Sequence, residues 1–110
     1  MDDKEIEDKL NRYVTKLKNF FDLKMVVLYG SYAKGSGGED SDIDVAVFIK
    51  EEKGADYLEK EKLLYKLSAD IDKRIEADLF YIDEIKGLEK ASFVQEILKK
   101  GKIFYNKVEL

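Results

Sequence analysis

The stretch GSYAKGSGGEDSDIDVAVFI, residues 30–49, changes character part-way along its length. Residues 30–41 contain four Gly and three Ser, the composition of a loop with at most one helical turn. Residues 43–49, IDVAVFI, are β-branched, apolar and aromatic apart from one Asp, and read as a strand. Strand side chains alternate between faces, so Asp42 and Asp44 project from one face at the strand's start. Ile43, Val45, Val47 and Ile49 then point the other way, into a core. Two carboxylates roughly 6–7 Å apart along a strand repel each other and need a reason to coexist. A shared divalent cation supplies one, and a strand-borne D-x-D suits the paired-metal clamp used in phosphoryl displacement.

A third carboxylate from a neighbouring strand would complete such a site. Asp78, in ADLFYI (77–82), is the first candidate, and Glu76 has the same parity and stands as the alternative. Upstream of the D-x-D, Gly30 would let backbone amides approach a phosphate closely. Ser31 offers a hydroxyl and an amide at a candidate helix N-terminus, a ready anion site. Lys34 is a candidate positive charge for the same anion.

Better-known motifs fail on this segment. A P-loop needs G-x-x-x-x-G-K-[ST], but here Gly35 is followed by Ser36 and the lysine precedes it. The dinucleotide pattern G-x-G-x-x-G is also missing. An EF-hand loop would place Asp40, Asp42, Asp44 and Glu51 at ligand positions, but its obligatory turn glycine would fall on Val45, inside the strand. The plain alternative is that Asp42 and Asp44 are solvated turn residues beside a flexible glycine loop.

Working outward, Ile6, Leu10, Tyr13, Val14, Leu17 and Phe21 recur at helical spacing and predict an amphipathic helix over 4–21. Residues 25–29 form a short apolar run that reads as a buried strand. Gly54 breaks the pattern, and Leu58, Leu63, Leu64, Leu67 and Ile71 mark a second helix. Residues 77–82 predict a third strand. Asp83 could cap a helix running through Ile85, Leu88, Phe93, Val94, Ile97 and Leu98, with Gly101 as its stop and 102–105 as a last strand. The order α-β-β-α-β-α-β predicts an α/β (α+β) fold in one domain, residues 1–110. It has a small mixed sheet of about four strands, with helices packed on one face. Asp70 and Asp72 read as exposed helix positions, Arg74 as a surface residue, and Tyr29 as a packing residue.

Composition narrows the chemistry. Of 110 residues, 45% are apolar and 40% charged, with no Cys, His, Pro or Trp. Thiol and imidazole catalysis are therefore excluded, and any bound metal should be hard and oxygen-ligated. The net charge of −4 argues against a general nucleic-acid binder. It does not exclude a nucleotide substrate, because a metal can screen carboxylates from phosphates. No apolar run approaches the ~20 residues of a membrane span, and the acidic start MDDKEIEDKL lacks a signal peptide's apolar stretch. A soluble cytoplasmic protein is expected.

Residues 30–49 resemble the signature of polymerase-β-like nucleotidyltransferases, G-S followed by D-x-D and an apolar strand. Ten residues separate Ser31 from Asp42, as in the minimal nucleotidyltransferases that serve as antitoxins to HEPN-domain toxins. The leading helix, the late Asp in ADLFYI and the ending FVQEILKKGKIFYN are similar to that group as well. The resemblance implies that ATP binds with two Mg²⁺ ions, with Asp42, Asp44 and Asp78 as ligands. Asp78 would also orient or deprotonate the acceptor, and Gly30, Ser31 and Lys34 would hold the phosphates. It further implies AMP transfer to a tyrosine of a partner HEPN toxin within a homo- or hetero-oligomer. The competing expectation is a non-catalytic antitoxin that neutralises its partner by contact alone.

Overall fold

The computed structural model describes residues 3–30, 41–51, 54, 56–85 and 91–108. Helix α1 (Asp3–Lys18) buries Ile6, Leu10, Tyr13, Val14 and Leu17, the stripe expected from their spacing. Its first turn carries Asp3 and Glu5 and its last Lys16 and Lys18, each complementing the helix dipole. Strands β1 (Leu23–Tyr29) and β2 (Ile43–Ile49) pair antiparallel. Helix α2 (Tyr57–Ala69) leads into β3 (Ile75–Tyr81), which lies parallel to β2. A short 3-10 turn (Ile82–Ile85), helix α3 (Ala91–Lys100) and strand β4 (Lys102–Asn106) complete the order. The sheet runs β3-β2-β1-β4, with β4 antiparallel to β1.

Two departures from the sequence expectations bear on the site. First, the helices do not share one face. Helices α1 and α2 pack on Val26, Leu28, Ile43, Val45, Val47 and Ile49. Helix α3 covers the opposite face through Val94 and Ile97, against Met25, Val27, Ala46 and Phe48. The physical reason lies in β1 and β2, which are apolar on both sides over most of their length. A second layer must take the residues that α1 and α2 cannot reach. A β-bulge at Lys24 adjusts β1 to this double burial. Leu23 pairs with Ile49 and Met25 with Phe48, so Leu23 faces α1 while Met25 faces α3.

Second, Asp83 does not cap a long helix. It lies inside the 3-10 turn, and α3 begins at Ala91. In a 3-10 turn residues three apart eclipse, which brings Ile82 and Ile85 together against the α3 side of the sheet. Gly101 follows α3 as expected, but for reasons of space. Its N–H donates to the Ile97 carbonyl at 2.8 Å, and a Cβ there would stand 2.6 Å from Val27 Cγ1.

On the other face, two long-range ties join α1 to the rest. The Tyr13 hydroxyl donates to the Leu64 carbonyl at 3.0 Å. Lys9 Nζ donates to Asp72 Oδ2 at 2.6 Å. Asp72 therefore is not an exposed helical residue, and Arg74 is not a free surface charge. Asp72 sits in the turn between α2 and β3 and accepts from the Arg74 backbone N–H at 2.9 Å, from Nε at 3.1 Å and from Nη2 at 2.8 Å. The Arg74 donors, with help from Lys9 and against the opposing effect of burial, hold the Asp72 carboxyl well below the usual carboxylate range. No helix among the described residues is long and apolar enough to cross a membrane.

A carboxyl depressed by folding stabilises the native state above its unfolded value of about 4. That contribution is lost as the pH falls below 4 toward the depressed native value. Asp72→Asn should therefore cost about 2 kcal/mol in urea unfolding at pH 7. The variant and natural chains should converge as the pH is lowered from 4 to 2. Equal stability at pH 7 would show that the cluster contributes nothing net.

Candidate functional site

The parallel register of β2 and β3 sets Asp44 beside Glu76 and Ala46 beside Asp78. Asp44, Glu76 and Asp78 thus share the sheet face turned away from α1 and α2, with Asp42 immediately before β2. Asp42, Glu76 and Asp78 are exposed, and Asp44 is half-buried. Two of the four carboxylates, Asp44 and Glu76, respond to the charge of the others. Burial pushes the Asp44 carboxyl up, and the charges of Asp42 and Asp78 push it further. Glu76 is raised first by the charge of Asp42, then by burial, by Asp44, by a hydrogen bond with Asp42 and by Asp78. Both residues considered for the third carboxylate, Asp78 and Glu76, are therefore part of one acidic group.

At the other side of Asp44 stands the turn that ends β1. Gly30 has φ +74°, in the left-handed region, where other residues are strained. A Cβ at this position would collide with Asp44 Oδ2 and lie 3.3 Å from its Cγ. The glycine is needed twice, for its φ and for its contact with the central carboxylate. Ser31 and Lys34, expected to bind phosphate, lie outside the described residues, as do Tyr32, Glu39 and Asp40.

Tyr29 is the site residue that sequence reasoning missed. It pairs with Asp44 across β1 and β2, yet its hydroxyl donates to Asp78 Oδ2 at 2.7 Å. Its ring meets Phe93 of α3 edge-on at 6.4 Å. Burial raises its hydroxyl above the ordinary phenol value, reinforced by the hydrogen bond to Asp78 and the charges of Asp78, Asp44 and Glu76. Its position next to Gly30 was the available signal. A residue ending β1 must face the start of β2, where the D-x-D lies.

The donor set is composed of hard oxygens at which negative charge is already crowded. That chemistry fits a hard divalent cation, which would relieve the repulsion it meets. Among the described residues no three carboxylates stand as a ready-made metal cluster, so an ion would have to draw them inward.

The sequence profile of the family described as Polymerase beta, Nucleotidyltransferase matches residues 9–110. The chain belongs to this family. As a nucleotidyltransferase domain it carries the family's architecture of three helices on a four-stranded mixed sheet. Two relatives from Methanocaldococcus jannaschii bear the provisional name protein adenylyltransferase. One is 34% identical over 95 residues, covering 71% of this chain and 95% of the relative. The other is 30% identical over 103 residues, covering 90% and 97%. A solved toxin–antitoxin structure with AMP-PNP superposes with a TM-score of 0.61 at 27% identity, covering 92% of this nucleotidyltransferase and 73% of the solved chain.

Asp44 gives a stability test. A carboxyl raised by folding binds its proton more tightly in the native state. The resulting penalty builds up as the pH rises from about 4 through the raised native value, and it is fully present above that. Without metal, Asp44→Asn should melt at a higher temperature than the natural chain at pH 7. The gain should disappear near pH 4. A lower melting temperature at pH 7 would mean that Asp44 makes a stabilising contact instead.

Proposed function

We propose that this domain is a Mg²⁺-dependent protein adenylyltransferase that moves AMP from ATP to a tyrosine of a partner HEPN-domain toxin, acting as its antitoxin in the cytoplasm. The observation that carries the reading is the register that sets Asp44 and Asp78 on one sheet face, with Asp42 just before it, beside the left-handed turn at Gly30. The spacing from Ser31 to the D-x-D, the relatives' provisional name and the nucleotide analogue in the similar toxin–antitoxin structure support it.

In this reading Asp42, Asp44 and Asp78 would hold two Mg²⁺ ions, whose charge offsets that on the triphosphate. Gly30, Ser31 and Lys34 bind the β- and γ-phosphates through backbone amides, a hydroxyl and a positive charge. Asp78 takes the proton of the incoming phenol. The phenolic oxygen bonds to the α-phosphorus while the bond from that phosphorus to the bridging oxygen breaks, and pyrophosphate leaves. Asp78 stands exposed on the open sheet face, so a hydroxyl carried by another macromolecule can reach it.

Incubation with α-labelled ATP, Mg²⁺ and a HEPN-domain toxin from the same source should label the toxin. The combined change Asp42→Ala and Asp44→Ala should abolish labelling, and Asp78→Asn should slow it by about a hundredfold or more. A native chain that silences its partner without labelling it would replace transfer by stoichiometric binding.

A further inference from the structure

Asp78 occupies β3, the strand at one edge of the sheet, and its side chain is exposed among like charges. Repulsion from Asp42, Asp44 and Glu76 favours rotamers that carry its carboxylate away into solvent. One contact opposes this drift. The Tyr29 hydroxyl, starting from β1 opposite Asp44, passes over β2 and donates to Asp78 Oδ2 at 2.7 Å. Tyr29 is fit for the task because its ring is itself held. It is half-buried and meets the edge of Phe93, which leans in turn on Phe80 at 6.1 Å, and Phe80 stacks on Phe48 at 5.2 Å. The contacts therefore run from Tyr29 through Phe93, itself half exposed, and Phe80 to the buried Phe48 on the α3 side of the core.

We propose that Tyr29 is a positioning residue that holds Asp78 toward Asp44, its phenol bonding one carboxylate oxygen and leaving the two lone pairs of the other for a divalent cation and the acceptor's proton. The inference rests on the third-carboxylate role given to Asp78 above. Hydrogen-bond donors behind ligating carboxylates act in this way, fixing the ligand's orientation before the ion arrives. The phenol is neutral, so it orients Asp78 without competing for the cation's place. Loss of the hydroxyl leaves the ring and its packing intact and removes only the tether.

The test uses Mn²⁺ as the probe, titrated by electron paramagnetic resonance with a non-hydrolysable ATP analogue present. The natural chain is compared with Tyr29→Phe, Asp78→Asn and the double variant. Tyr29→Phe should weaken Mn²⁺ binding about tenfold. Where transfer is measurable, kcat should fall by a similar factor while the KM for ATP stays unchanged. In the Asp78→Asn background the tyrosine change should cause no further loss, because there the tether has nothing left to position. Undiminished Mn²⁺ binding by Tyr29→Phe would overturn the proposal. So would an equal loss in the presence and absence of Asp78, which marks a general packing effect. If the natural chain labels no partner but the Mn²⁺ pattern holds, the positioning role stands and the transfer reading falls. If Asp78→Asn alone leaves Mn²⁺ binding unchanged, Asp78 is not a ligand and the role of Tyr29 falls with it.

Discussion

In β2, Ile43, Val45, Val47 and Ile49 are fully buried on one side of the sheet while Asp44 stands on the other. Because side chains alternate strictly, a slip of one residue against β1 or β3 would exchange these sets. Asp44 would then enter the layer formed with Leu10, Leu17 and Leu64, where an unpaired carboxylate costs several kcal/mol. The four apolar residues would lose their cover at the same time. Burial on the α1–α2 side thus fixes the register that places the carboxylates. Glu76 beside Asp44, Asp78 beside Ala46 and Tyr29 opposite Asp44 all follow from it.

The acidic group works against the fold that carries it. Asp44 is raised by burial and then by its neighbours' charge, and Glu76 first by the charge of Asp42, so at neutral pH the native state carries a repulsion that unfolding relieves. Gly30 turns the chain against the Asp44 carboxylate in a left-handed conformation that glycine adopts without strain. On the opposite face the sign is reversed. Asp72 gathers Lys9 and Arg74 and is held ionised by them, and it ties α1 to the turn that starts β3. One carboxylate is satisfied by the chain's own cations, whereas among the described residues the others meet each other and the Tyr29 hydroxyl. That contrast, between charges the fold neutralises and charges it leaves, separates structural acids from candidate ligands.

The strands and α1 were legible because their evidence is local. An apolar stripe at three- and four-residue spacing and short β-branched runs need no knowledge of partners. The D-x-D and its facing were legible for the same reason, since parity follows from the strand alone. Three features were not. The reach of Tyr29 depends on which residue of β2 it meets, and pairing register is not written in either strand. The Asp72–Lys9 bond joins residues 63 apart in sequence. The side taken by α3 depends on which face of β1 and β2 is left uncovered by α1 and α2, and the bulge at Lys24 that turns Met25 to that face falls on a lysine that looks ordinary in sequence. Asp83 misled because a good capping residue is also a good turn residue, and the paired Ile82 and Ile85 favour the turn.

The face that bears the carboxylates is divided along each strand. Toward the end of β2, Ala46 and Phe48 lie under Val94 and Ile97 of α3, whereas Asp42 at its start is open to water. Water weakens every interaction those carboxylates can make, since the same pair of charges interacts several-fold more strongly in a partly buried setting. An acceptor delivered by a docking protein would change both conditions in one step. It would bring a hydroxyl to Asp78 and exclude solvent from the ions and phosphates that the acidic group is proposed to hold. Under that reading the exposed half of the face is a site that reaches full strength only when covered. The division between apolar and acidic halves then has a physical purpose: α3 contacts Tyr29 through Phe93, and the wet half is the one a partner would cover.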